Sequence, residues 1–594
     1  MDLASSWNPG IRRIYKLTAL IQRGTLLVAL IIGLLSYFFA SGVAQASERK
    51  NSSFQPVFAK NGMVSAQEAI ATRIGVDVLR QGGNAIDAAV AVGFALAVTL
   101  PRAGNLGGGG FMIVHEAKTR KTHAIDYRET APAGATRNMF LDKNGEYDRG
   151  KAVGTHLSAG VPGTVAGLAK ALEKFGTMTL AELIRPALQL ARNGIPVSPG
   201  LRESFTPSRQ KKLARWPASR DIFFKPDGTI FEVGERWRQR DLAVTLELIA
   251  KRGPSVFYTG EIAGKLVRDM AKHGGLITRD DLASYRPVIR EPVRGNYRGY
   301  EIVSMPPPSS GGVHLIQMLN VMEGFDIGGM GHNSAASVHV MTEAMKFAYA
   351  DRSWHLGDPE FWKVPVTKLT SKSYAMKIAQ LIDVKKARTA SQIGPGDPKL
   401  HEGRNTTHFS VMDSKDNVVS NTYTINLAYG SGIVAEGTGI LWNNEMDDFS
   451  AKPGVANSFG LIGGAANAIE PGKRPLSSMT PTIVFKEGRP LLATGSPGGS
   501  RIITTVLQVV SNVIDHKMDI GRATALPRFH HQWRPDYLRV EAGFSGKTLS
   551  TLKNLGHMIR TTGLMGSTQS IMSVDDGFSG ASDPRRRDAL THGY

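Results

Sequence analysis

Two adjacent threonines, Thr406 and Thr407, follow Asn405 in the stretch RNTTHFSVMD (Arg404–Asp413) and open what reads as a strand. β-Branched residues belong in strands, so turn chemistry does not account for Asn405 and Thr406. A threonine hydroxyl becomes a nucleophile once a base takes its proton. Its own α-amine, with a reference pKa of ~7.7–8.0, suits that task near neutrality better than a lysine at ~10.4. This use of Thr406 requires a chain break between Asn405 and Thr406, and the chemistry it offers is acyl transfer.

Strand phase sets the surroundings of Thr406. The even positions Thr406, His408, Ser410 and Met412 share one face, and Phe409 and Val411 share the other. Asp413–Asn417 (DSKDN) reads as a turn, and VVSNTYTIN returns with Ser420, Thr422, Thr424 and Asn426 on the polar side. If Met412 pairs with Val418, Thr406 lies opposite Thr424 and hydroxyls collect around it. Periodicity alone favours a plainer reading, the solvent face of an antiparallel hairpin.

The remaining elements frame this hairpin. Ser65-Ala66-Gln67-Glu68 has capping-box spacing before Ile70, Ile74 and Val78, which predicts an amphipathic helix ending at Gly82-Gly83. Residues 84–100 are apolar on every side and too short to span a bilayer, which predicts a fully buried helix. GNLGGGGFMIVHE (Gly104–Glu116) puts glycines before a strand, where backbone must approach another segment closely; it lacks the order of a dinucleotide fingerprint. Helices are expected over 313–322 and 337–350. After Asn405, short strands and glycine loops follow: GSGIVAEGTGILW, TPTIVF, PLLATG and GSPGGSR. Helices and strands in such numbers imply an α+β protein with sheets covered by helices.

The 594-residue chain carries a formal net charge of +20 but no cysteine, which excludes disulfides, zinc-thiolate sites and a cysteine nucleophile. The charges are scattered, and the densest run, Arg585-Arg586-Arg587, reads as a solvated tail; no nucleic-acid motif accompanies it. Residues 1–46 hold Arg12, Arg13, Lys16 and Arg23, then the apolar run TLLVALIIGLLSYFFASG and AQA at Ala44–Ala46, the order of a secretory signal cut after Ala46. An uncleaved anchor is the alternative. Removing that segment takes away those four positive charges and Asp2, leaving about +17. Two other hydrolytic sites fail on spacing. His530-His531 in RFHHQW diverge and no HExxH is present, so no metal is expected, and TGSPGG around Ser496 is not a nucleophile elbow.

The motifs NTTHFSVMD, AIDYRETAP, TYTIN, NNEMDDFSAKPG, KRPLSSMTPTIV and TGSPGGSRIITTVLQ occur in one order from about Ala66 to Tyr594, and through them the chain resembles the γ-glutamyltransferases (glutathione hydrolases) of bacteria. The resemblance implies an N-terminal-nucleophile hydrolase, a four-layer αββα sandwich with antiparallel sheets, that cuts itself between Asn405 and Thr406 into a large subunit (47–405) and a small one (406–594). It implies Thr406 as nucleophile, Thr424 as its hydrogen-bond partner, and Gly498 and Gly499 as the oxyanion hole. Arg128, Ser477 and Ser478 would bind the donor's α-carboxylate; Asn426, Glu445 and Asp448 would hold its α-ammonium. Glutathione would be the donor, and water, an amino acid or a dipeptide the acceptor, in the periplasm and with no cofactor. Phe459 stands in VANSFGL where the bacterial family often has a lid tyrosine. Alternatives on this sequence are a cephalosporin or glutaryl acylase on the same scaffold, and an unprocessed periplasmic binding homologue.

Overall fold

The hairpin expected around Thr406 is present in the computed structural model, which describes residues 54–393 and 406–594. Thr407–Asp413 pairs antiparallel with Val418–Thr424, from Thr407↔Tyr423 to Met412↔Val418. Continuing that register by one residue sets Thr406 opposite Thr424. The Asp413 carboxylate makes the turn, accepting from the backbone N–H groups of Lys415 and Asn417. The signal segment 1–46 and Asn405 lie outside the described residues.

This hairpin is the centre of a seven-stranded sheet ordered Leu590–Gly593, Gly62–Ala66, Thr407–Asp413, Val418–Thr424, Gly109–Glu116, Lys121–Tyr127 and Val288–Arg290. A second seven-stranded sheet runs Val57–Ala59, Gly577–Ser582, Gln569–Val574, Arg489–Thr494, Thr482–Lys486, Tyr300–Ser304 and Val293–Tyr297. Every pairing within these two sheets is antiparallel. Odd-numbered Phe409, Val411, Val419 and Tyr423 pack into an apolar core with the helices Ala69–Arg80, Ala85–Thr99, Thr164–Phe175 and Leu180–Asn193. Helices Gly311–Met322 and Ile520–Ala525 pack on the second sheet, and Ala335–His355 and Ile502–Ile514 pack against Gly311–Met322. The layers are therefore αββα.

The even-numbered side chains face the second sheet. Ser410 Oγ donates to the Gln569 carbonyl (2.9 Å), and Ser420 Oγ donates to the Thr494 carbonyl (3.0 Å) while accepting from Thr482 N–H (3.0 Å). This corrects the solvent-face reading of the hairpin, both faces of which are buried. A row of hydroxyls tolerates burial because each finds a partner, Ser410 and Ser420 on backbone carbonyls of the opposing sheet and Thr422 on His408. His408 bridges Thr422 and Ser410 in the same row, and burial pushes its pKa down to about 3, so it is neutral.

Ala85–Thr99 is buried at all fifteen positions, capped by Asn84 and Asp87 in a reciprocal box. Each buried Leu, Ile, Val or Phe there contributes on the order of 1.5–3 kcal/mol. The capping box expected at Ser65 is corrected: Ser65 lies in the Gly62–Ala66 strand, and Glu68 itself caps Ala69–Arg80, accepting from the N–H groups of Ile70 and Ala71 (2.9 Å each). Strands expected in GSGIVAEGTGILW are also absent. Left-handed Gly432, Gly437 and Gly439 fold that segment into turns with one isolated bridge, Val434↔Leu441. Arg585 is no solvated tail residue, since Glu541 and Asp583 pair with its nearly buried guanidinium. Among the described residues, no helix is long and apolar enough to cross a membrane.

Candidate active site

Thr406 stands at the head of the strand it opens, and its hairpin partner Thr424 closes the neighbouring one. The glycines of GNLGGGG explain how that end is held. Asn105 Nδ2 donates to the Thr424 carbonyl (2.9 Å), while Asn105 Oδ1 accepts from Gly108 N–H (2.8 Å) and Thr164 Oγ1 (2.7 Å). A methyl on Gly108 would sit 2.0 Å from the Thr424 carbonyl oxygen, so only glycine allows this approach. Thr424 Oγ1 accepts from Asn426 N–H (2.9 Å), which bends the chain out of the strand into a left-handed Asn426 (φ 68°).

A narrow cavity begins at Thr406 and Thr424 and is lined by Arg128, Asn426, Glu445, Asp448, Ser477, Ser478 and Gly499. All nine sequence-selected residues in this set thus meet, from segments up to 371 positions apart. Gly498 lines a second cavity that also touches Thr406. Gly498 and Gly499 have positive φ (142° and 57°) and immediately precede the Ile502–Ile514 helix, where backbone N–H groups lack intrahelical partners and can face an oxyanion.

Charge in the cavity is carried by two arginines, Arg128 and Arg352, and several acids. Arg128, at the end of Lys121–Tyr127, donates to Glu445 and to Asp448 (2.5 Å), and Glu129 lies 3.7 Å away. Burial opposes its charge, but Glu445, Asp448 and Glu129 outweigh burial and raise its pKa, so it stays a guanidinium. The acids respond oppositely. Burial raises the pKa of Glu445 and of Asp448, and pushes Glu129 up to about 7. Glu445 Oε2 and Asn426 Oδ1 are buried acceptors without a hydrogen-bond partner among the described residues. An ammonium, with its three donors, fits such a pair beside Asp448.

Sequence reasoning missed Arg352. Near the end of Ala335–His355, it donates to Ser310 Oγ (3.0 Å) and Ser478 Oγ (3.3 Å), and Ser310 Oγ donates to the Ser477 carbonyl (2.8 Å). Burial lowers its pKa to about 10. Because Ser478 Oγ accepts from Arg352, its own proton is available to a carboxylate. The available signal was the chain of charges Glu343, Lys346, Asp351 and Arg352 on a helix with no polar stripe.

The rim is a hairpin around Ala456↔Ile462. Its Asn457 Nδ2 donates to Asp448 Oδ1 (3.2 Å), and Phe459 packs on Gly499 so closely that a methyl there would lie 2.2 Å from the ring. His530 and His531, discounted as metal ligands, are each bound to protein: His530 to Thr504 and Gln532, His531 to Trp533 N–H and Asp536.

A threonine at a strand head between two antiparallel sheets, with helices outside and glycine amides beside it, defines an N-terminal-nucleophile hydrolase. Comparison with known proteins narrows the class. The gamma-glutamyltranspeptidase family model matches residues 71–592. The glutathione hydrolase proenzyme of Escherichia coli K12 is 55% identical over 91% of this chain and 93% of its own. The acylase ACY 1 proenzyme of Pseudomonas sp. SE83 is 40% identical over 88% and 92%. A solved cephalosporin acylase from Bacillus halodurans superposes with a TM-score of 0.80 at 29% identity, over 91% and 97%. The chain belongs to the γ-glutamyltranspeptidase family.

Proposed function

We propose that this enzyme hydrolyses glutathione and other γ-glutamyl compounds and transfers their γ-glutamyl group, through an ester on Thr406. The carrying observation is the pairing, in one cavity with Thr406, of a guanidinium and two serines with the orphan acceptors Glu445 Oε2 and Asn426 Oδ1 beside Asp448. A γ-glutamyl donor brings both complements, an α-carboxylate for Arg128, Ser477 and Ser478, and an α-ammonium for the acceptors. Arg128 then exchanges part of its internal pairing with Glu445 and Asp448 for the substrate carboxylate.

With the α-amine of Thr406 freed by cleavage after Asn405, that amine takes the hydroxyl proton as Oγ attacks the γ-carbonyl. Gly498 and Gly499 N–H groups hold the oxyanion, the leaving amine departs protonated, and water, an amino acid or a dipeptide attacks the ester. Thr424 keeps the nucleophile in line. The same hydroxyl serves the self-cleavage: it attacks the Asn405 carbonyl, the acyl group shifts from the Thr406 nitrogen to its oxygen, and water hydrolyses that ester to release subunits 47–405 and 406–594; the word proenzyme in the relatives' names supports a processed precursor. Residues 1–46 direct export to the periplasm in this reading.

The test compares γ-glutamyl and glutaryl anilides, which differ in the α-ammonium. Preference for the first supports the proposal. Equal or better turnover of the second supports the acylase reading that the ACY 1 relative and the cephalosporin acylase structure suggest.

A further inference from the structure

We propose that Gln532 is a positioning residue, a latch that ties the rim hairpin over Thr406 to the loop carrying the oxyanion glycines. The inference rests on the γ-glutamyl-transfer reading and assigns work to the RFHHQW motif that this reading leaves unused. Gln532 is buried, and its two amide atoms face different parts of the site. On one side, Nε2 donates to the Gly460 carbonyl (2.9 Å), with a longer contact to the Phe459 carbonyl (3.4 Å). On the other, Oε1 accepts from Ser500 Oγ (2.9 Å), directly after Gly499.

The surroundings fix which way the amide points. Oε1 also receives Arg539 Nη1 (3.1 Å), which can only donate, and the other side meets two carbonyl oxygens, so the oxygen lies there and the NH₂ faces the hairpin; His530 Nε2 (2.9 Å) meets that oxygen and in consequence carries the ring proton. His530 is neutral, its pKa held well below the ordinary value by burial and by Arg539, and its Nδ1 takes the Thr504 hydroxyl. Tyr349 from the long helix donates to the Ser500 carbonyl and holds the same loop from behind. The hairpin itself is tight: Asn457 Oδ1 accepts from the N–H groups of Phe459 (3.0 Å) and Leu461 (3.1 Å). It can therefore move as a unit, fastened inside by Asn457 to Asp448 and by Asp447 to Ser458 N–H (3.2 Å), and outside by Gln532.

Phe459 and Leu461 of this hairpin line the cavity, so the latch decides how well the γ-glutamyl pocket is closed and how far water reaches the ester. Because one amide spans hairpin and oxyanion loop, closure and oxyanion geometry are set together.

Gln532→Glu is the discriminating variant, since a carboxylate still accepts from Ser500, His530 and Arg539 but cannot donate to Gly460. Expected are complete self-cleavage, a donor KM raised about tenfold with kcat changed less than threefold, and at least a twofold larger share of hydrolysis over transfer at fixed dipeptide acceptor. That share is independent of the fraction of folded protein, so general damage does not move it. Gln532→Leu, which removes both sides, should add a fall in kcat. Wild-type KM and partition in Gln532→Glu would overturn the latch, as would a fall in kcat alone. An inactive wild type would instead refute the γ-glutamyl reading itself.

Discussion

Thr406 and Thr407 differ by one position and by everything that strand phase implies. Thr406 meets the cavity, whereas Thr407 is buried in the strand with a hydroxyl that has no partner among the described residues. Thr406→Ala should therefore remain one chain by mass spectrometry while Thr407→Ala yields fragments beginning at residue 406. A wild type that stays uncut would sink the mechanism. Arg352 makes a second prediction: lysine keeps the charge but loses the fork that reaches Ser310 and Ser478, so Arg352→Lys should raise donor KM about tenfold, ~1.4 kcal/mol, with a smaller effect on kcat. Glu129 gives a pH dependence. Its pKa, pushed up to about 7 by burial, exceeds the unfolded value, so the native state binds more protons between the two. That contribution is fully present below about pH 4.3 and is lost as pH rises through about 7. Glu129→Gln should flatten the melting temperature between those limits, and an unchanged slope would show that Glu129 ionises normally.

At the scale of elements, glycine spacing and hydroxyl periodicity place the site. Adding a methyl at Gly108 forces apart the Gly109–Glu116 strand and the end of Val418–Thr424, because the atom it meets is backbone. Gly108→Ala should lose on the order of 1–3 kcal/mol in denaturant unfolding and should lower kcat by displacing Thr424. The hairpin register was legible in the sequence, since turn length and alternation specify it locally. Which side its polar face took was not. Alternation reports that a face is polar, and only the second sheet's carbonyls at Thr494 and Gln569 make that face an interior one. The failed cap at Ser65 has a similar cause: the spacing was right, but Ser65 was already committed to a strand, and Glu68 took the helix end alone.

Across the whole molecule, the cut proposed after Asn405 would divide both sheets. In the first sheet, Thr407–Asp413 and Val418–Thr424 sit between Gly62–Ala66 and Gly109–Glu116; in the second, Thr482–Lys486 pairs with Tyr300–Ser304. The two fragments share cores and ladders, so they should co-elute on size exclusion and separate only in denaturant. Separation under native conditions would contradict this interleaving. The sequence by itself determined the strand that Thr406 opens, the hairpin register that follows it, the buried helix at Ala85–Thr99 and, through family resemblance, the charged residues that line the pocket. These rest on local periodicity, turn chemistry and motif order, all readable along one dimension. Only the tertiary structure decided that Arg128 is shared among Glu445, Asp448 and Glu129, that Arg352 supports Ser478, and that Gln532 joins the hairpin to the loop of Gly498 and Gly499. Those facts depend on burial and on contacts between distant segments, and both arise only when the layers pack.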